Sequence, residues 1–269
     1  MTEMILELKE REKAAPLFQG WQDTMIWSCL QGVMGKIYAD SSKEPVSAMA
    51  VLGDFCFFAG KPDREFVLCG QAQGERGFRI FVPENAAWAS VIEEGFGERA
   101  EKVVRYAFKK EPDVFDQGKL QGMVNGLPEG YALKMMDEDL FRRCGKIEWC
   151  RDWVAQYGDY AMYQRYGLGV VICEDKEPVS GASSYSGYNG GIEIEIDTRK
   201  DHRRRGLAGI CGAKLILECL ERGVYPSWDA QNKWSAALAE KLGYHLECEY
   251  TAYEVTGERQ GGFLREDSL

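Results

Sequence analysis

The stretch GIEIEIDTRKDHRRRGLAGICGAKLILECLERG (Gly191–Gly223) changes its hydrophobic period partway along, and that change decides the fold class. At first Ile192, Ile194 and Ile196 alternate with Glu193, Glu195 and Asp197, the period-2 pattern of a strand with one apolar face. From Leu207 the period becomes helical, with Leu207, Ile210, Cys211, Leu215, Cys219 and Leu220 forming one stripe. Gly223 comes next, a residue suited to the left-handed position just past a helix end. Between strand and helix lie Arg199, Lys200, His202, Arg203, Arg204 and Arg205, then Gly206, Leu207, Ala208 and Gly209. A strand leading through an Arg- and Gly-rich loop into a helix start is a phosphate-binding design. Small residues let a ligand approach the backbone, the free N–H groups and the positive helix end point at it, and arginines add charge-assisted bonds. The competing reading is a solvated basic loop.

The chain as a whole makes such a loop conspicuous. Its 269 residues carry a formal net charge of −10, which argues against a nucleic-acid or anionic-membrane surface. An anionic ligand therefore needs a local basic island. With 45% apolar residues the chain can bury a sizeable core, and its length suits two domains. The nine cysteines are scattered without a CxxC pair, as expected of reduced thiols rather than disulfides or a zinc site. Two histidines, His202 and His245, leave little material for a metal site or a Ser-His-Asp triad. The charged start MTEMILELKEREKAAP and the lack of a long apolar run imply a cytoplasmic protein, with no metal, nucleic-acid or membrane partner.

The word KEPVS occurs twice, at Lys43–Ser47 and Lys176–Ser180, each time between apolar runs. Pro45 and Pro178 read as turn residues, with Val and Ser opening the next strand. The segments downstream of the two copies agree in order. After the first copy come FCFFAG, a helix-compatible stretch, the strand FRIFVPE, an Asn85-started helix and the strand AEKVVRYAFKK. After the second come GIEIEID, a helix, VYPSWDAQ, an Asn232-started helix and LECEYTAYEV. The expectation is a duplication with two domains, residues 1–125 and 126–269. The polar, Gly- and Pro-rich stretch from about Lys109 to Gly130 reads as the linker, and Tyr131–Asp137 opens the second domain as a strand. FAGKPDREFVLCGQAQGERG in the first half has charges but no Arg-x-x-Gly-x-Gly/Ala, so a ligand belongs to the second half.

These residues resemble a known family. Arg203-Arg204-Arg205-Gly206-Leu207-Ala208 is similar to the Arg/Gln-x-x-Gly-x-Gly/Ala loop of the GNAT superfamily of acyl-CoA-dependent N-acyltransferases. Asn232-x-x-Ser235-x-x-Leu238-x-x-Lys241-Leu242-Gly243-Tyr244 resembles that family's second signature, in order and after an intervening strand. The likeness covers roughly residues 131–256, and the two-domain layout resembles the group that includes zwittermicin-resistance acetyltransferases. It implies an α/β fold (α+β in some schemes): a C-terminal GNAT domain with a mixed, mostly antiparallel sheet flanked by helices, behind a degenerate GNAT-like domain.

The resemblance further implies acetyl-CoA as co-substrate and a small-molecule primary amine as acceptor, and it leaves a homodimer open. Backbone N–H groups from Arg204 to Gly209 would hold the pyrophosphate, with Arg203, Arg204 and Arg205 adding charge. Ile196, Asp197 and Thr198 would pair with the pantetheine as an added strand. Asn232 and Ser235 would lie near the pantetheine and thiol, although Asn232 also reads as a helix N-cap. Glu195 and Glu193 are the candidate proton acceptors, with Glu195 nearer the thioester; both also read as the polar face of a strand. Where many members carry a tyrosine that protonates the leaving thiolate, this chain has Ala239. Tyr185, Tyr188 and Tyr250 are candidate substitutes, and Trp228 and Trp234 join Tyr185 and Tyr188 as candidate acceptor-pocket residues. Two alternatives stay open: a non-catalytic acyl-CoA-binding or regulatory protein, and transfer to a protein amine.

Overall fold

The computed structural model describes residues 5–72 and 77–257. The extreme termini of the two expected domains lie outside the described residues. Chain order runs β1 (Leu6–Glu7), α1 (Thr24–Gln31), β2 (Lys36–Ala39), β3 (Ser47–Leu52), β4 (Phe55–Gly60), α2 (Arg64–Ala72), β5 (Phe78–Pro83), α3 (Ala86–Phe96) and β6 (Ala100–Phe108). It continues with α4 (Gln117–Asn125), β7 (Tyr131–Met135), α5 (Glu138–Cys144), α6 (Tyr160–Tyr166), β8 (Gly169–Glu174), β9 (Glu177–Tyr188) and β10 (Gly191–Thr198). Last come α7 (Leu207–Glu221), β11 (Tyr225–Ser227), β12 (Asp229–Ala230), α8 (Lys233–Leu242) and β13 (Leu246–Thr256).

The described residues divide into two compact units, one of residues 5–105 and 249–257, the other of residues 106–248. In the first, the strand order is β1-β2-β3-β4-β5-β13-β6. Pairing is antiparallel from β1 to β4, parallel between β4 and β5, and antiparallel between β5 and β13. In the second, β7, β8, β9 and β10 form an antiparallel meander and β10 pairs in parallel with β11. The units thus share an order of strands, strand senses and the positions of their intervening helices. Both Asn-started helices are capped alike. Asn85 Oδ1 accepts from Ala87 and Trp88 N–H at 3.0 and 3.2 Å, and Asn232 Oδ1 from Trp234 and Ser235 N–H at 3.0 and 2.9 Å.

Two expectations are corrected. The stretch read as a linker holds α4, whose N-terminus is capped by Asp116 and whose Leu120 is fully buried in the second unit's core. Glycines and polar residues dilute the helical period of Leu120, Met123, Val124 and Leu127, so it escapes a reading by pattern. The division accordingly falls at Arg105/Tyr106, not after residue 125, and residues 249–257 count with the first unit. The two KEPVS copies also differ in form. The first lies in a long loop closed by Asp40, whose Oδ1 accepts from Val46 and Ser47 N–H. The second adjoins a two-residue turn, Asp175–Lys176, with φ of 48° and 71°, the primed geometry that suits the strand twist. Pro178 there sits inside β9 at a register shift, a place where its missing N–H costs no ladder bond.

In the second unit the sheet is covered on both faces. On one side α7 buries Leu207, Ile210, Cys211, Leu215, Ile216 and Cys219 against Ile192, Ile194, Val170 and Ile172. Each such aliphatic side chain contributes about 1.5–3 kcal/mol. The helix stops at Gly223 in a Schellman closure, with Val224 N–H on Cys219 O at 3.0 Å and Gly223 N–H on Leu220 O at 3.1 Å. The opposite face is covered around Trp153, in the short 3-10 segment Glu148–Trp153. Ser180 meets Cys211 of α7 while the next residue, Gly181, faces the Trp153 indole. The strand's Glu face is therefore partly covered: Glu193 is buried rather than solvated, and Glu195 and Asp197 are half-buried.

A Cβ on Gly181 would sit 2.6–2.8 Å from three indole carbons of fully buried Trp153. Gly181→Ala is expected to destabilise the fold by about 1–3 kcal/mol. Thermal unfolding followed by circular dichroism checks this, and an unchanged Tm would refute the packing account.

Candidate functional site

The site begins where β10 and β11 part. Their parallel register runs Gly191↔Tyr225, Ile192↔Pro226, Glu193↔Ser227 and then stops. Beyond it the chain turns at Trp228 into β12, which pairs with Tyr106 and Ala107 of β6 instead. On its other edge β10 stays paired with β9 as far as Thr198↔Ser180, past a register shift between Glu193 and Ile194. Ile194 to Thr198 thus present an edge with no β11 partner among the described residues. Backbone donors and acceptors along such an edge can receive an extended amide chain.

Polar groups gather at the head of this split. Glu193 is 6% exposed. Its cross-strand neighbours are Ser186 on β9 and Ser227 on β11, both buried. The Tyr188 hydroxyl lies 3.0 Å from Ser227 Oγ. Burial first, and the Glu193 charge as well, push the Tyr188 hydroxyl up to about 12, against a lowering by Ser227. Tyr225 is raised by the same kinds of cause. Tyr188 therefore keeps its proton at neutral pH. Glu195, half-buried and opposite Ser183, sits two residues further along the split.

The loop after β10 leads to the helix that the sequence marks as anion-binding. Seven helices have a described N-cap, and six of them are capped by an Asp or Asn side chain. The exception is α7, where Gly206, at φ 81°, offers no side chain. Leu207, Ala208 and Gly209 N–H are left without intrahelical acceptors, at the positive end of the longest helix. The three arginines have separate fates. Arg203 Nε donates to Thr198 O at 3.1 Å, tying the loop to the end of β10. Arg205 donates to the Tyr131 hydroxyl at 2.7 Å and to Asp201 O at 3.0 Å. Arg204, exposed and at φ 60°, makes no side-chain hydrogen bond or ion pair among the described residues.

The remaining candidates sort by burial. Asn232 caps α8, and Ser235 Oγ accepts from Trp228 Nε1 at 3.2 Å. Trp228 is buried in the core beside Tyr244, with ring centroids 5.5 Å apart, so it is not a pocket wall. Trp234 is 70% exposed on the first turn of α8. Ala239 is fully buried. Tyr185 is buried at the β9 irregularity, while Tyr250 belongs to the first unit, where its hydroxyl accepts from Arg105. Ser186, Ser227, Glu174 and Tyr131 carry no sequence signal, because only the strand registers bring them to the site.

Among its described residues the first unit shows no such opening. The loop from β4 to α2 is only Lys61-Pro62-Asp63, and the Asp63 carboxylate accepts from Glu65 N–H at 2.7 Å. A carboxylate at that helix start excludes another anion.

All nine cysteines are free, and no helix among the described residues is long and apolar enough to cross a membrane. Comparison with known proteins matches residues 15–253 to the family model of GNAT acetyltransferases. A Bacillus subtilis protein described as the uncharacterized N-acetyltransferase YdfB is 29% identical over 255 residues, covering 86% of this chain and 89% of its own. The crystal structure of a GCN5-related N-acetyltransferase-like protein from Streptococcus suis is 46% identical and superposes with a TM-score of 0.87, covering 92% of this chain and 98% of that one. A tandem GNAT protein from the clavulanic acid biosynthesis pathway shares the fold at 10% identity, with a TM-score of 0.54 over 96% of this chain and 99% of that one.

Asn232→Ala removes both cap acceptors of α8 and is expected to lower stability by about 1 kcal/mol. Urea unfolding measures the shift; a change under a few tenths would mean the cap is replaced by water. Tyr188 carries a second expectation. An unfolded tyrosine ionises near pH 10, and this one is held up to about 12, so its burial favours unfolding only as pH rises above about 10. A tyrosinate absorbance titration of wild type minus Tyr188→Phe should place the step near 12.

Proposed function

Since the chain belongs to the GNAT acetyltransferase family, we propose that its second unit transfers the acetyl group of acetyl-CoA directly to a primary amine of a small molecule. The observation that carries this reading is the parted edge of β10, leading through an Arg-lined loop to the uncapped start of α7. Ile196, Asp197 and Thr198 on that edge would hold the pantetheine amides. The N–H groups of the first turn of α7, with Arg204 as the uncommitted cation, would hold the pyrophosphate. Arg203 and Arg205 serve chiefly to shape the loop around it.

The transfer needs a base for the attacking ammonium, a donor for the carbonyl oxygen as it gains charge, and a proton for the departing thiolate. Glu193 fits the base better than Glu195. It is buried at the head of the split, whereas Glu195 lies further along it. Backbone N–H of β10 just beyond the last β11 pair is available to the carbonyl oxygen. Tyr188, with its hydroxyl beside Ser227, is the candidate donor to the thiolate, the role left open by Ala239. An acidic chain of net charge −10 steers cationic amines toward it.

The likeness of strand order, strand sense and helix capping in the two units supports a duplication in which only the second copy keeps the coenzyme loop. The free thiols suit a cytoplasmic setting. Buried Ala239 favours a second reading, acyl-CoA binding without turnover.

Calorimetry with acetyl-CoA is expected to give a Kd that Arg204→Glu weakens on the order of tenfold. Thiol release across a panel of amines is expected to fall about 100-fold or more in Glu193→Gln, with acetyl-CoA binding retained. No binding by the wild type sinks the proposal, and tight binding without turnover on any amine, small or protein-borne, moves it to the second reading. A larger loss in Glu195→Gln than in Glu193→Gln would reassign the base.

A further inference from the structure

His202 lies on the short 3-10 turn Lys200–His202 that precedes the arginine loop, and it is 4% exposed. Its Nδ1 is 2.8 Å from Asp201 Oδ1 and its Nε2 is 3.0 Å from Glu174 Oε2. Arg199 grips the Asp201 carboxylate through two nitrogens at 2.8 and 3.1 Å. That contact first, and His202 second, hold the Asp201 carboxyl well below the usual carboxylate range. Asp201 is therefore an acceptor only, and the proton between it and Nδ1 belongs to the ring. Arg199 Nη2, 3.2 Å from Nδ1, is a second donor converging on the same carboxylate. Glu174, partly exposed, faces the ring's other nitrogen. The ring bridges two carboxylates, one at each of its nitrogens.

What the bridge connects gives it a use. Glu174 ends β8 at the tip of the β8–β9 hairpin, the second KEPVS site. Arg143 of α5 holds that tip, donating to Lys176 O at 2.9 Å and to Glu177 Oε1 at 3.1 Å. From the other side, the Tyr131 ring of β7 meets His202 edge-on, with centroids 6.0 Å apart. The Tyr131 hydroxyl accepts from Arg205, whose second nitrogen bonds Asp201 O. The groups facing His202 are thus Arg199 and Asp201 on its own turn, Glu174 from β8 and Tyr131 from β7, with Arg205 bound behind them.

We infer that His202 is a positioning residue for the coenzyme loop: bridged to Glu174 on the hairpin tip, it holds residues 203–209 in the form that receives the pyrophosphate. This role rests on the acetyl-CoA reading of the second unit. Ordering the loop during folding spares that entropy cost at binding. Without that bridge the turn loses its tie to the hairpin tip, and Arg204 and the start of α7 are no longer held together.

The test uses full-length wild type, His202→Gln and Glu174→Gln, each checked for folding by circular dichroism. Glu174 is partly exposed, so its variant keeps the proposal testable if His202→Gln folds poorly. The ligands are acetyl-CoA and S-acetylpantetheine, which carries the same thioester without the phosphates. Both variants are expected to raise the acetyl-CoA Kd about tenfold while leaving S-acetylpantetheine binding unchanged. Unchanged acetyl-CoA affinity in both folded variants, or equal losses for the two ligands, overturns the inference while the acetyl-CoA reading stands. Wild-type protein that binds no acetyl-CoA overturns both.

Discussion

Everything at the candidate site depends on β11 leaving β10 after three residue pairs. Had the parallel ladder continued, the backbone groups of Ile194 to Thr198 would be consumed within the sheet. The chain instead turns at Trp228, which is buried against Tyr244 and hydrogen-bonded to Ser235, and Asp229–Ala230 take β6 as partner. Core packing thus pries the sheet open, and the apolar area buried by Trp228 offsets the ladder bonds forgone. The split concentrates polar chemistry at its head, because buried Glu193, Ser186 and Ser227 and half-buried Tyr188 converge where the two strands diverge.

The second constraint is the start of α7. A helix normally hides its free N–H groups behind a capping side chain, and six helices here do so. Gly206 leaves the first turn of α7 open. That choice costs helix stability, and the Schellman closure at Gly223 and the buried stripe against the sheet compensate it. The first unit shows the opposite choice with the same topology. There a short loop and the Asp63 carboxylate close the helix start. One topology thus carries two local solutions, of which only one leaves room for an anion.

Charge in the loop is less abundant than its composition suggests. Of Arg203, Arg204 and Arg205, two are engaged in holding the loop to Thr198, Tyr131 and Asp201. In the cluster of Arg199, Asp201, His202 and Glu174, Arg199 and His202 each face a carboxylate within the protein. Much of this basic run therefore builds shape, and Arg204 with the helix dipole supplies the outward positive potential.

Elements that repeat with a clear period were readable from the residues alone. The alternation over Gly191–Asp197, the stripe from Leu207, the Asn caps at Asn85 and Asn232 and the stop at Gly223 are local, since each is set by neighbours within a turn or a strand. The Arg-Gly loop and the Asn232 helix signature were legible for the same reason. Other features depended on packing between distant segments. Helix α4 was hidden because its stripe is short and Gly-interrupted, and only burial of Leu120 against α7 makes it a helix rather than a linker. Burial of Glu193, the core position of Trp228 and the committed states of Arg203 and Arg205 are likewise tertiary. So is the bridge from His202 to Glu174, two residues 28 apart in the chain. A hydrophobic period encodes which face of an element is apolar, but not what covers its polar face, and the chemistry of this site lies on covered polar faces.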